Sequence, residues 1–203
     1  MLHFLIAIGH VCCLFALDKA FEAYGIKDFM HQMVSGHVWM LYALTIGLVL
    51  AFCVAGLLSN QPVARVSHIG STAVQGIWAK NIVDVMVEIS EKANMEEIAH
   101  ILEQNGFIKM SSEAKRILLN KGYTKEGFAD KVYHIHLRFA GDNDELYFRD
   151  YLNEHPQIAK EYEALKLKLW KRYEHNRDVY TDAKTDFIRK WTTEARMIYG
   201  DRY

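Results

Sequence analysis

Proline is nearly absent: Pro62 and Pro156 are the only two in 203 residues, and no segment is repetitive or of low complexity. Backbone breaks are therefore few and informative. Cysteine is equally scarce. Cys12, Cys13 and Cys53 all lie in apolar runs without zinc-site spacing, and the adjacent pair is poorly placed for a disulfide. They read as small buried hydrophobes in a reduced or lipid environment. A basic excess is lacking too. Of 24 basic and 25 acidic residues, residues 1–60 hold two and three, which leaves 22 of each sign beyond them. That balance excludes nucleic acid as a bulk electrostatic partner, because nothing is left over to neutralise a phosphate backbone.

Charge itself is missing from residues 38–58, whose length is what a helix needs to cross a bilayer core. Trp39 and Tyr42 sit near one end as interfacial aromatics, and Gly47 and Gly56 are tolerated in membrane helices. The expectation is a membrane-spanning helix at 38–58 within a hydrophobic helical region, 1–60. The alternative is a buried core helix. Residues 2–17 are also uncharged but shorter, and read as a second, marginal span or as a segment packing on the first. No Lys or Arg precedes them and no small-x-small cleavage site follows, which argues against a secretory signal.

What is present begins at a polar break, Ser59-Asn60-Gln61-Pro62. From Val63 to Tyr203 the composition is that of a cytosolic α/β domain, which places residues 63–203 on the cytoplasmic side of the expected anchor. Val63–Ile69 and Ile82–Ile89 read as strands, and 94–105 as a helix closed by Gly106. Residues 107–110 and 116–119 read as short strands ahead of a Lys121-Gly122 turn. Residues 131–139, KVYHIHLRF, alternate strictly and form the clearest strand. After a turn at 141–144 the chain reads as helical over 146–153, 157–173 and 178–199. Ile158, Tyr162, Leu165 and Leu169 mark the apolar face of the middle helix.

Residues 66–88, VSHIGSTAVQGIWAKNIVDVMVE, organise this domain. Glycine at Gly70-Ser71-Thr72 lets a phosphate approach the main chain closely. A carboxylate at Asp84, inside an apolar strand, is costly unless a metal or cation pairs with it. Two-residue periodicity puts Asp84, Met86 and Glu88 on one face of their strand, and Val132, His134, His136 and Arg138 on one face of theirs. If the two strands share a sheet, these faces gather carboxylates, imidazoles and a guanidinium above the turn, an outline for metal-assisted phosphoryl or nucleotidyl chemistry. Gly70, Ser71, Thr72 and Lys80 are the expected phosphate contacts, with Lys121 or Arg138 neutralising charge. Asp84 and Glu88 are the expected metal carboxylates, His134 and His136 the catalytic partners of Asp84, and His68 a scaffold histidine.

These residues resemble a family. His68-Ile69-Gly70-Ser71-Thr72-Ala73-Val74, Gly76, Ala79-Lys80 and Val83-Asp84 are similar to the signature of the GrpB-like proteins, a branch of the nucleotidyltransferase fold. The likeness continues through Arg116, Lys121-Gly122-Tyr123 and His134-Ile135-His136-Leu137. It is strongest in Tyr147-Phe148-Arg149-Asp150-Tyr151-Leu152, His155-Pro156, Glu161-Tyr162, Leu165-Lys166 and Ala183-Lys184-Thr185, and covers about residues 63–199. The resemblance implies an α/β (α+β) mixed sheet with flanking helices and long C-terminal helices. It also implies a nucleoside triphosphate held at the turn and a divalent metal, Mg or Mn, held by carboxylates. Two departures stand out: Met86 occupies the position of the superfamily's usual second carboxylate, and the apolar segment 1–58 replaces a polar helix. The expected protein is a membrane-tethered nucleotidyltransferase domain acting on an unknown acceptor. The alternative is a non-catalytic nucleotide-sensing or protein-interaction module with a degenerate metal site.

Overall fold

The computed structural model describes residues 37–124, 127–173 and 176–203, with side chains of the first helix from Leu44 onward. The expectations for residues 2–17 and for the connector after them lie outside the described residues.

Five strands form one mixed sheet in the order β1-β2-β5-β4-β3. They are β1 (Val63–Ile69), β2 (Ile82–Ile89), β3 (Ile108–Glu113), β4 (Arg116–Thr124) and β5 (Gly127–Phe139). β5, last in chain order, lies between β2, which it pairs in parallel, and β4, which it pairs antiparallel. Alternation along β2 and β5 turns Val83, Val85, Val87, Ile135 and Leu137 to the back of the sheet. There they meet helix α1 (His37–Leu57) and helix α2 (Met95–Gln104) in one core. The start of α2 is set by Asn94, whose side chain accepts from the Glu97 N–H, and by Glu96 and Glu97 in the first turn.

The front carries the remaining helices: α3 (Asp144–Glu154), α4 (Pro156–Arg172), α5 (Arg177–Asp182) and α6 (Thr185–Tyr199). Leu146 of α3 packs on Ile69 and Met86, while Val74 and Ile77 pack on Leu152, Ala159 and Tyr162. Pro156 opens α4, where its missing N–H costs nothing. The final helix, expected as one, is two: Ala183 and Lys184 separate α5 from α6. The Lys121-Gly122 pair is not a turn but an irregularity within β4, where the register shifts between Lys121 and Tyr123 and Gly122 takes a φ of 100°.

Residues 38–58 do something other than cross a bilayer. Ile46, Leu50, Val54 and, just past the helix, Leu58 recur every four residues and enter the back core, each no more than 5% exposed. Gly47 lies so close to β1 that a Cβ there would run into the His68 ring. Among the described residues no helix is long and apolar enough to cross a membrane. The expectation of a membrane span at 38–58 is therefore replaced by a core-packing helix. Absence of charge fits both, because a helix pressed on a sheet excludes charge from its inner side too. Leu48 and Phe52 stay exposed on the outer side of α1.

Candidate functional site

The parallel register of β2 and β5 sets Asp84 opposite His134 and Met86 opposite His136. All these side chains point to the front of the sheet. Asp84 Oδ1 lies 3.1 Å from His134 Nδ1 and 3.0 Å from His136 Nε2. Tyr123 of β4 brings its hydroxyl to 3.3 Å from His134 Nε2, which fixes the other nitrogen towards Asp84. Burial alone would raise the Asp84 carboxyl, but hydrogen bonds from both imidazoles outweigh it and hold the group well below the usual carboxylate range. His134 is buried, whereas the Asp84 and His136 side chains keep 22% and 24% of their surface open to the front.

One ligand atom from each of these three residues lies within 4.8 Å of the others. Metal–ligand bonds of about 2.0–2.2 Å set neighbouring donors about 3.0–3.5 Å apart. The two distances at Asp84 fall in that range, so the residues fit a single divalent ion. A set of one carboxylate and two imidazoles is the chemistry preferred by zinc, iron and their neighbours more than by magnesium.

The Gly70-Ser71 turn adjoins this cluster. Gly70 has φ 73° and ψ −172°, and a Cβ there would stand 2.6 Å from Asp84 Oδ2. Thr72 is buried, its Oγ1 3.0 Å from His68 Nε2 and donating to the Ile82 carbonyl at 3.2 Å, so it braces the turn from within. Burial pulls the His68 pKa down to about 4, with Asp84 opposing and Arg149 adding. On the outer side, Gly70, Ser71, Phe148, Arg149 and Tyr162 line part of a cavity of about 470 Å³.

Other expected residues stand elsewhere. Glu88 is four residues along β2 from Asp84, about 13 Å, and is absent from the metal-fitting group. Its Oε1 accepts from Asn143 Nδ2 and the Gly141 N–H at 3.1 and 3.3 Å, and Oε2 lies 3.5 Å from Arg65. Arg138, opposite Glu88, pairs with Glu145 at 2.6 Å and Asp142 at 3.4 Å. Lys121 shares the back face with its β5 neighbour Tyr133 and donates to the Asn105 carbonyl at 3.2 Å. Lys80 reaches over the Tyr180 ring, 4.7 Å from its centroid.

Sequence reasoning met Arg149 only within the resemblance and gave it no role; it donates to the His68 carbonyl at 2.9 Å and so holds the strand leading into the turn. Lys166, also quoted within the resemblance, was likewise given no role. The signal there was a lysine four residues after Tyr162 on the inner side of an amphipathic helix.

Comparison with known proteins places this arrangement. The chain is 31% identical over 138 residues to the glutamate-rich protein GrpB of Alkalihalophilus pseudofirmus, covering 64% of this chain and 77% of that protein. It is 27% identical to the UPF0157 protein YqkA of Bacillus subtilis, over 69% of this chain but only 41% of that longer protein. The crystal structure of the conserved protein GrpB from Enterococcus faecalis superposes with a TM-score of 0.64 at 28% identity, over 77% of this chain and 94% of that one. The terminal uridylyl transferase Cid1 gives a TM-score of 0.46 at 15% identity, over 66% of this chain and 41% of that one, a likeness too remote to carry chemistry. The family model described as GrpB protein matches residues 48–194, and the chain belongs to the GrpB family.

Proposed function

We propose that the front of the sheet is a metal-assisted phosphate-ester site whose ligand is a nucleotide, with nucleotidyl transfer to an acceptor as the reaction. One observation carries this: the glycine turn touches the metal-fitting carboxylate, with room for no more than a hydrogen at Gly70. A phosphate held by the turn would therefore lie against Asp84, His134 and His136. A divalent ion on those residues would polarise a phosphoryl oxygen. Asp84 stays ionised as a ligand, and Tyr123 keeps His134 turned towards it. The donor set supports Mn, or a zinc-like ion, over Mg.

The test is calorimetric titration of the purified protein with zinc, manganese and magnesium salts, followed by pyrophosphate release from each nucleoside triphosphate. Manganese or zinc is expected to bind at least about tenfold tighter than magnesium. Asp84→Asn and His136→Ala should each lose about 10- to 100-fold. Absence of any metal binding by the unaltered protein sinks the site.

A second reading is favoured by Met86. It is fully buried against Ile69 and Leu146, where a further carboxylate would have faced the metal. In that reading the domain binds nucleotide and metal without turnover, as a sensing or interaction module. Binding without pyrophosphate release would select it.

A further inference from the structure

The cavity beside the Gly70-Ser71 turn, about 470 Å³, has the size of a small-molecule site, for which about 300–1,000 Å³ is usual. Helices α3 and α6 supply most of its wall, and the turn, Val74 and Tyr162 supply the rest. None of Asp84, His134 and His136 lines it.

The wall carries charge, but none to spare. Arg196 pairs with Asp144 at 2.6 Å, Arg149 with Asp150 at 2.7 Å and Arg189 with Asp186 at 3.4 Å. Glu145 pairs with Arg138 at 2.6 Å. Nothing in this wall calls for an ionic occupant. Between the ion pairs it is apolar, through Val74, Phe148, Tyr162 and Ile188. Its rings are held in place, because Phe148 meets Tyr162 edge-on at 5.2 Å and Phe187 stacks on Tyr162 at 5.5 Å.

One polar group in the wall is unanswered. Thr192 is 6% exposed and, among the described residues, its Oγ1 has no hydrogen-bond partner. Its neighbour Thr193 shows the ordinary solution for a helical threonine, donating to the Arg189 carbonyl four residues back at 2.9 Å. A buried hydroxyl left unpaired is disfavoured, and most such groups in folded proteins find a partner. A ligand in the cavity supplies the partner that Thr192 lacks.

These features select the occupant. Its body is a neutral ring that lies against Phe148 and Tyr162, and its edge carries a hydrogen-bonding group for Thr192. It adjoins the turn yet stays clear of the metal-fitting residues. That is the place of the ligand's unreacting end, not of an acceptor, whose hydroxyl must reach the metal-held phosphate. A nucleoside meets all these conditions.

We infer that the cavity between α3 and α6 is a nucleoside subsite, with the base against Phe148 and Tyr162 and a hydrogen bond to Thr192. This deepens the nucleotide reading above and rests on it for the phosphate that joins the nucleoside to the turn. A hydroxyl both donates and accepts, so Thr192 by itself does not choose among the bases.

Saturation-transfer NMR titration of the full chain with adenosine, guanosine, cytidine and uridine, all in EDTA, tests it. At least one nucleoside is expected to bind without phosphate or metal. Thr192→Val, which keeps the side chain's shape, should weaken that binding about tenfold. Phe148→Leu should weaken it about three- to tenfold, and Thr181→Val, at an exposed position outside the cavity, should leave it unchanged. Should one of the two cavity variants fail to fold in a thermal melt, the other decides. Binding of none of the four nucleosides, or affinity unchanged by Thr192→Val and Phe148→Leu, overturns the inference. Metal binding by the unaltered protein with no nucleoside bound would leave the metal-site reading standing without this one. A nucleoside bound with no metal binding would do the reverse.

Discussion

At Gly70 the backbone takes a conformation open to glycine, and Asp84 fills the space a side chain would need. Gly70→Ala is therefore expected to cost about 1–3 kcal/mol through its backbone alone. It should also displace Asp84, which chemical denaturation and metal titration would show together as lower stability and weaker binding. His68 makes the turn sensitive to acid. Its folded pKa of about 4 lies below the 6.5 of the free side chain because burial disfavours the imidazolium. The unfolded chain thus binds more protons between those values. Stability from this group is complete above about pH 6.5 and is lost as pH falls towards 4, by up to about 3 kcal/mol. Urea unfolding across that window should show the loss, and His68→Gln should flatten it. Asp84, His134 and His136 were legible in the sequence because a two-residue period sorts side chains by face. Glu88 and Arg138 were not, since the same period cannot say how far along the strand a partner sits; they ended beside each other, against the turn after β5 and the start of α3.

Among the elements, α1 shows where composition misleads and spacing does not. Its charge-free length suggested a bilayer, yet the four-residue recurrence of Ile46, Leu50 and Val54 describes a stripe laid on a sheet. Gly47 supplies a sharp check. In an exposed helix, Gly→Ala stabilises by about 1 kcal/mol. Here the added methyl would meet the His68 ring, so Gly47→Ala is expected to destabilise by about 1–3 kcal/mol, measured by thermal unfolding. The strands and the amphipathic helices were legible because alternation and helical spacing report burial directly. The break between α5 and α6 was not, because Ala183 and Lys184 are good helix formers and carry no local signal of a helix end.

For the molecule as a whole, the front helices are tied to the sheet through Tyr203. Its ring stacks edge-on against Tyr147 at 5.3 Å, and Arg65 of β1 lies 4.6 Å from its centroid. Its hydroxyl accepts from Arg149 at 3.0 Å and donates to Asp150. Tyr203→Ala is expected to cost about 2 kcal/mol in urea unfolding, and amide exchange should accelerate in α6 before it does in the sheet. Order of synthesis gives the sheet topology a further meaning. β2 is made early, but β5 beside it is the last of the five sheet strands to emerge, and Asp84 is 50 and 52 residues from His134 and His136 in the chain. Until residue 139 leaves the ribosome, one edge of β2 has no partner and the metal-fitting residues do not exist as a group. Assembly of this group is thus a late event that coincides with closure of the sheet's centre, and under the proposed function metal capture would be a timestamp for a finished domain.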